Sequence, residues 1–210
     1  MKHLFLTSQV RYVASHIGTK VLEAQKKNAV YITTPIKDKQ HTNLDWHYAN
    51  KSALENAGFH FDEYDITNKI FSQIKSEIRN YECMYIEGGN SYYLLQESQK
   101  SGFIDFVRQR VDEGMIYIST SAGTVAAGPD IEPVRREETT ILAPQLQNTV
   151  GYKLVNFVVM PHWGQEEWRA LYNTYRLEHI YQEDYPYIFL NDHQYIEVIN
   201  DTFQIHTVKA

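Results

Sequence analysis

Apolar residues fall into short runs of four or five, separated by stretches with helical spacing. His3–Leu6 reads as a first strand, and from about Val10 to Gln25 the apolar residues Val13, Ile17 and Val21 recur four apart, as on one face of a helix. Ala29–Thr33 is a second strand. Leu44–Ala57 reads as a helix stopped by Gly58, and Phe59–Tyr64 alternates like a third strand. A helix from about Asn68 to Ile78 leads to a fourth strand, Cys83–Ile86; a further helix opens at Ser91-Tyr92-Tyr93-Leu94-Leu95, and another runs from Phe103 to Asp112. Strand–helix alternation with short links predicts an α/β fold, a parallel sheet covered on both faces, and rules out a β-sandwich.

The second half is less regular. The apolar run Met115–Ile118 feeds a turn at Ser121, and the small residues Ala122, Gly123, Ala126 and Ala127 start a helix. Residues 128–150 have no clean period and read as a long loop. Leu154–Met160 is an apolar strand that ends in Pro161-His162-Trp163, placed to lie beside the elbow strand, and Glu166–Tyr181 is a helix. Tyr187–Leu190, Gln194–Ile199 and Phe203–Val208 read as strands in hairpin order, with turns at Asn191-Asp192 and Asn200-Asp201. No repeat or linker divides the 210 residues, which predicts one domain.

Charge and composition narrow the partners. A net charge of −6 argues against nucleic acid or an anionic membrane, since both select a basic face. The N-terminal apolar run is four residues long, and no stretch approaches the roughly 18 apolar residues of a membrane span, so a cytoplasmic location is expected. A single cysteine, Cys83, excludes an internal disulfide and an amidotransferase-type cysteine at the elbow. No H-x-x-x-H pair and no G-x-G-x-x-G or G-K-[ST] turn is present, so no metal or organic cofactor is expected.

Ser119-Thr120-Ser121-Ala122-Gly123 is a nucleophile-elbow pattern with serine where the first glycine usually stands. Such a turn lifts a hydroxyl out of the sheet and aims backbone N–H groups at a developing oxyanion. The hydroxyl needs a base, and the base needs an orienting acid. His162, directly after a buried strand, is the best-placed base. The acid is expected in the loop between Ser121 and His162, where Glu137 and Glu138 stand; Asp130 and Glu132 follow the elbow too closely. The Ala122 N–H and one from the glycine turn, with Gly89 the natural choice, would form the oxyanion hole.

Four motifs together resemble the peptidase E, or aspartyl dipeptidase, family of serine peptidases: G-G-N with an aromatic and Leu-Leu at 88–95, S-A-G at 121–123, G-P-D-I at 128–131 and P-H-W at 161–163. The match runs over most of the chain. The resemblance implies a flavodoxin-like three-layer sandwich related to class I glutamine amidotransferases, with a mostly parallel sheet and a C-terminal β-hairpin. It implies Ser121 as nucleophile, His162 as base, Glu138 or Glu137 as acid, and Gly89 and Ala122 as oxyanion donors. Asn90 and an arginine beyond the P-H motif, Arg169 or Arg176, are the implied substrate-binding residues; each arginine also has the spacing to pair with helix acids such as Glu166. The implied substrates are short peptides, with N-terminal aspartyl dipeptides as the narrower case. Cyanophycin-type aspartyl–arginine units, or ligand binding without turnover, are the alternatives on the same fold. Exposed aromatic residues permit a homodimer.

Overall fold

A computed structural model describes residues 1–23, 28–38, 43–136, 140–181 and 184–209. In chain order the first half holds β1 (His3–Thr7), α1 (Ala14–Glu23), β2 (Asn28–Ile32), α2 (Asp45–Asn56), β3 (His60–Tyr64), α3 (Phe71–Ile78), β4 (Cys83–Ile86), α4 (Ser91–Ser101), α5 (Phe103–Asp112) and β5 (Ile116–Thr120). The second half adds α6 (Ala122–Ala126), β6 (Val158–Pro161), a helix Glu166–Leu171, β7 (Tyr187–Leu190), β8 (Gln194–Ile199) and β9 (Thr202–Thr207).

Seven strands form one sheet in the order β3-β2-β4-β5-β1-β8-β9. The first five run parallel; β8 pairs antiparallel with β1, and β9 antiparallel with β8. Alternation along each central strand sends side chains to opposite faces, and both faces are apolar. Phe5, Tyr31, Tyr85 and Ile118 pack with Ile17 of α1 and Leu54 of α2 on one side. Leu4, Leu6, Ile32, Ile86 and Tyr117 pack on the other with Ile74 of α3, Leu94 of α4 and Phe106 of α5. The result is the parallel α/β sheet that the chain pattern predicts, with the three layers and C-terminal hairpin that the family resemblance implies.

Three expectations change. The predicted helix from Val10 is two elements, a 3-10 turn Val10–Tyr12 and then α1. The predicted helix 166–181 widens into a π segment, Tyr172–Arg176, before closing at Leu177–His179. The largest change concerns the strand before Pro161: it does not lie beside β5, and β7 forms no hairpin with β8. Instead β6 and β7 pair in parallel as a separate two-stranded sheet. Turn residues at Asn191-Asp192 look the same whether the chain reverses within one sheet or, as here, steps from one sheet to another. Asn191 shapes the step, its side-chain oxygen accepting from His193 N at 3.0 Å and its backbone oxygen from Gln194 N at 3.0 Å.

Candidate active site

The apolar strand β5 ends inside the sheet, and Ser121 caps α6 with φ 44° and ψ −104°, outside the regions open to an L residue without cost. Neighbours hold the strained turn. Ser121 N donates to Thr7 O at 3.1 Å, Gly123 N donates to Glu87 O at 3.3 Å, and Val10 N donates to Thr120 Oγ1 at 3.1 Å. A Cβ at position 123 would lie 2.6 Å from the Ile86 carbonyl oxygen, so only glycine lets α6 sit this close to β4. Ala122, the first residue of α6, presents one of the N–H groups that have no acceptor within their own helix.

The glycine turn after β4 closes the other side. Gly89 has φ +125°, and a Cβ there would lie 2.5 Å from Pro35 O. Asn90 is buried and caps α4, its side-chain oxygen accepting from Tyr92 N at 2.9 Å and Tyr93 N at 3.1 Å. Behind the turn the fully buried Glu87 carboxylate accepts from Gly88 N at 2.7 Å, Asn50 Nδ2 at 3.0 Å and the Tyr85 hydroxyl at 3.0 Å. It also meets the Tyr31 hydroxyl and, at 2.8 Å, His47 Nδ1.

His162 and Asp192 arrive from the small sheet. The parallel register pairs Pro161 with Leu190, so the residues that follow each strand emerge at the same end. His162 has φ 64°, and its Nε2 lies 3.0 Å from Ser121 Oγ. Its Nδ1 lies 3.0 Å from Asp192 Oδ1. Ser8, at the end of β1, ties the pair together: its hydroxyl donates to Asp192 Oδ1 at 2.5 Å and accepts from His162 N at 2.7 Å. The Trp168 ring stacks on His162 with centroids 4.7 Å apart. Burial pulls the Asp192 pKa upward, but hydrogen bonding and charge from His162, the Ser8 hydroxyl and the charge of Arg11 outweigh it and hold the carboxyl below its ordinary value.

Two cavities flank Ser121 and share Gly89, Arg136, His162 and Trp168. The smaller, about 40 Å³, is also lined by Tyr92 and Arg176. Arg176 is buried over the rings of Trp168 and Tyr172, and among the described residues its Nε and Nη1 have no hydrogen-bond partner. Burial pushes its pKa down, partly offset by Tyr172. The larger cavity, about 270 Å³, adds Gln9, Arg11, Trp46, Asn50 and Glu167. A wider groove of about 720 Å³ lies far along the sheet, lined by Lys2, Phe157 and Phe203, and contains none of these groups.

Of the residues singled out in the sequence, Ser121, His162, Gly89, Ala122 and Arg176 come together here. Arg169 does not: it is exposed, pairs with Glu166 at 2.6 Å, and lines neither cavity. Asn90 spends its side-chain oxygen on the helix cap. Glu137 and Glu138 lie outside the described residues, and the carboxylate against His162 is Asp192. Sequence reasoning missed Asp192 and Ser8 because both sit in link residues, where Asp and Ser are ordinary turn formers. Among the described residues no three His, Cys, Asp or Glu side chains gather to hold a metal ion, and no helix is long and apolar enough to cross a membrane.

An elbow serine on a mostly parallel α/β sheet, facing an imidazole backed by a carboxylate, is the layout of a hydrolase. The chain belongs to peptidase family S51, whose family model matches residues 5–206. It is 30% identical over 171 residues to an uncharacterized peptidase of Listeria monocytogenes serovar 1/2a, covering 81% of this chain and 82% of that one. An uncharacterized peptidase of Pasteurella multocida is 28% identical over 202 residues, 96% of each chain. A crystal structure from Listeria monocytogenes EGD-e, assigned provisionally to peptidase E, superposes with a TM-score of 0.88 at 26% identity over 100% of both chains. The chain is a peptidase with a peptidase E-like fold.

Proposed function

We propose that this peptidase works through a serine nucleophile, with Ser121, His162 and Asp192 as its triad. The observation that carries the reading is the unbroken line of contacts, 3.0 Å from Ser121 Oγ to His162 Nε2 and 3.0 Å from Nδ1 to Asp192 Oδ1. Asp192 fixes the tautomer that leaves Nε2 free to accept the hydroxyl proton. The Ser121 oxygen attacks the scissile carbonyl, and the oxyanion is met by the N–H groups of Ala122 and Gly89. His162 passes its proton to the departing amine; water, deprotonated by the same ring, then releases the acid and restores the hydroxyl.

Arg176 supports a preference for an acidic residue on the acyl side. Among the described residues no carboxylate pairs with this buried guanidinium, an arrangement that is costly and that a ligand carboxylate would relieve. The cavity beside it, about 40 Å³, is little more than the space of one water, so this side of Ser121 favours a short side chain. N-terminal aspartyl dipeptides are therefore the proposed substrates, and the tight acyl side argues against branched aspartyl–arginine polymers.

A fluorophosphonate probe tests the nucleophile: wild type should gain one probe mass on the peptide containing Ser121, and Ser121→Ala none. Labelling that survives the substitution removes Ser121 from the mechanism. Specificity is read by comparing aspartyl and asparaginyl dipeptides. An advantage for aspartate that persists in Arg176→Met would reject the arginine's role.

A further inference from the structure

The cavity on the other side of Ser121 has features of its own. Arg11 and Asn50 line only the larger space, not the one beside Arg176. Among the described residues the Arg11 side chain makes no ion pair or hydrogen bond; its guanidinium lies over the Tyr12 ring at 4.8 Å, and Nε is buried without a partner. Asn50 is fully buried, and its orientation is fixed: the Glu87 carboxylate only accepts, so the amide nitrogen faces it at 3.0 Å. Its Oδ1 remains a buried acceptor with no donor among the described residues. Trp46 adds an aromatic wall, and among charged groups the cavity sets Arg11 and Arg136 against Glu167.

A free amino acid matches this set. In acyl transfer at Ser121 the leaving nitrogen departs beside His162, and in a dipeptide the carboxylate of the leaving residue stands one Cα away from that nitrogen. An unpaired guanidinium in the same cavity recognises a carboxylate at that distance through its planar fork of N–H groups. We propose that Arg11 and Asn50 form a leaving-residue subsite that takes a single amino acid, Arg11 binding its α-carboxylate and Asn50 accepting from its nitrogen. Trp46 packs against its side chain. The subsite makes the C-terminal carboxylate part of recognition, so dipeptides are cleaved in preference to chains in which that carboxylate is an amide or a further peptide bond. The inference rests on the acyl-transfer reading above and adds the identity of the leaving half.

The test is a pair of substrates, aspartyl-leucine and aspartyl-leucinamide, with wild type, Arg11→Gln and Arg11→Lys. A charge-assisted hydrogen bond predicts that wild type favours the free acid about 10- to 100-fold in kcat/KM. Arg11→Gln should lower kcat/KM for the free acid far more than for the amide, so that the preference is lost, and Arg11→Lys should regain part of it. A second readout needs no turnover: millimolar leucine should slow fluorophosphonate labelling of Ser121 in wild type and not in Arg11→Gln. Equal cleavage of acid and amide by wild type, or no protection by leucine, overturns the subsite. So does an Arg11→Gln variant that loses both substrates alike, because Arg11 would then act through Asp192. Labelling of Ser121 in every variant keeps these failures separate from failure of the serine mechanism, which would show as no labelling of wild type.

Discussion

Ser121 stands on the seven-stranded sheet, whereas His162 and Asp192 hang from the two-stranded one. The serine's position comes from a single continuous stretch: β5 delivers it, α6 carries the chain away, and backbone groups of Thr7 and Glu87 hold the turn on either side. The imidazole and carboxylate come from residues 162 and 192 and meet only because β6 and β7 run parallel in a register that matches Pro161 with Leu190. Ser8 bridges the two regions, since it follows β1 of the large sheet and hydrogen-bonds both members of the small sheet's pair. The elbow is thus part of the folding core, and the arm is an alignment laid against it. Damage to the packing that holds the elbow should appear in both activity and stability, and damage at the arm chiefly in chemistry.

The largest effect is expected at the hydroxyl itself. Ser121→Ala should lower kcat by about 10⁶-fold, as removal of a triad serine does elsewhere, while thermal melting stays near that of wild type. Asp192→Asn comes next: it keeps the shape but favours the wrong imidazole tautomer, and turnover should fall by about 10⁴-fold. Gly123→Ala breaks the comparison from the other side. Its Cβ would meet the Ile86 carbonyl at 2.6 Å, so denaturant unfolding should show a loss of about 1–3 kcal/mol, the usual scale of overpacking. Unchanged stability would contradict the packing of α6 on β4. Ser8→Ala removes the bridge and should cost about 1 kcal/mol of transition-state stabilisation, read as a several-fold fall in kcat/KM with the fold intact.

The smallest effect is on pH dependence. The folded-state pKa of Asp192 lies below its ordinary value, so the carboxylate's contribution to stability is fully present above the unfolded carboxyl's pKa of about 3.9. It is lost as pH falls through the lower folded value. Wild type should therefore be more stable than Asp192→Asn at pH 6, and the gap should close in acid. A gap that widens below pH 4 would reverse the sign of the pairing.

The contrast between the two regions also explains what could be read without coordinates. The strand–helix alternation of residues 3–120 was legible because each element carries its own period, and the elbow because strand, turn and small-residue helix are adjacent in the chain. His162 was legible from its place after an apolar strand. Asp192 was not: Tyr187–Leu190 followed by Asn191-Asp192 is consistent with a hairpin, and nothing local says that the strand pairs with β6 instead of β8. Ser8 was hidden for the same reason, since its partners lie 154 and 184 residues away. Arg176 and Arg169 had equal claims in sequence and were separated by burial, Arg176 facing inward from the π segment and Arg169 outward on the helix surface.

The acid is where the account is most exposed, and one measurement addresses it: the rate of fluorophosphonate labelling of Ser121 in wild type, in Asp192→Asn, and in a variant carrying Glu137→Gln and Glu138→Gln. If Asp192 orients His162, labelling should fall about 10⁴-fold in the first variant, in line with the loss of a triad aspartate, and stay within a few-fold of wild type in the second. Labelling that survives Asp192→Asn but collapses when Glu137 and Glu138 are changed would contradict the account and return the acid to the loop after the elbow.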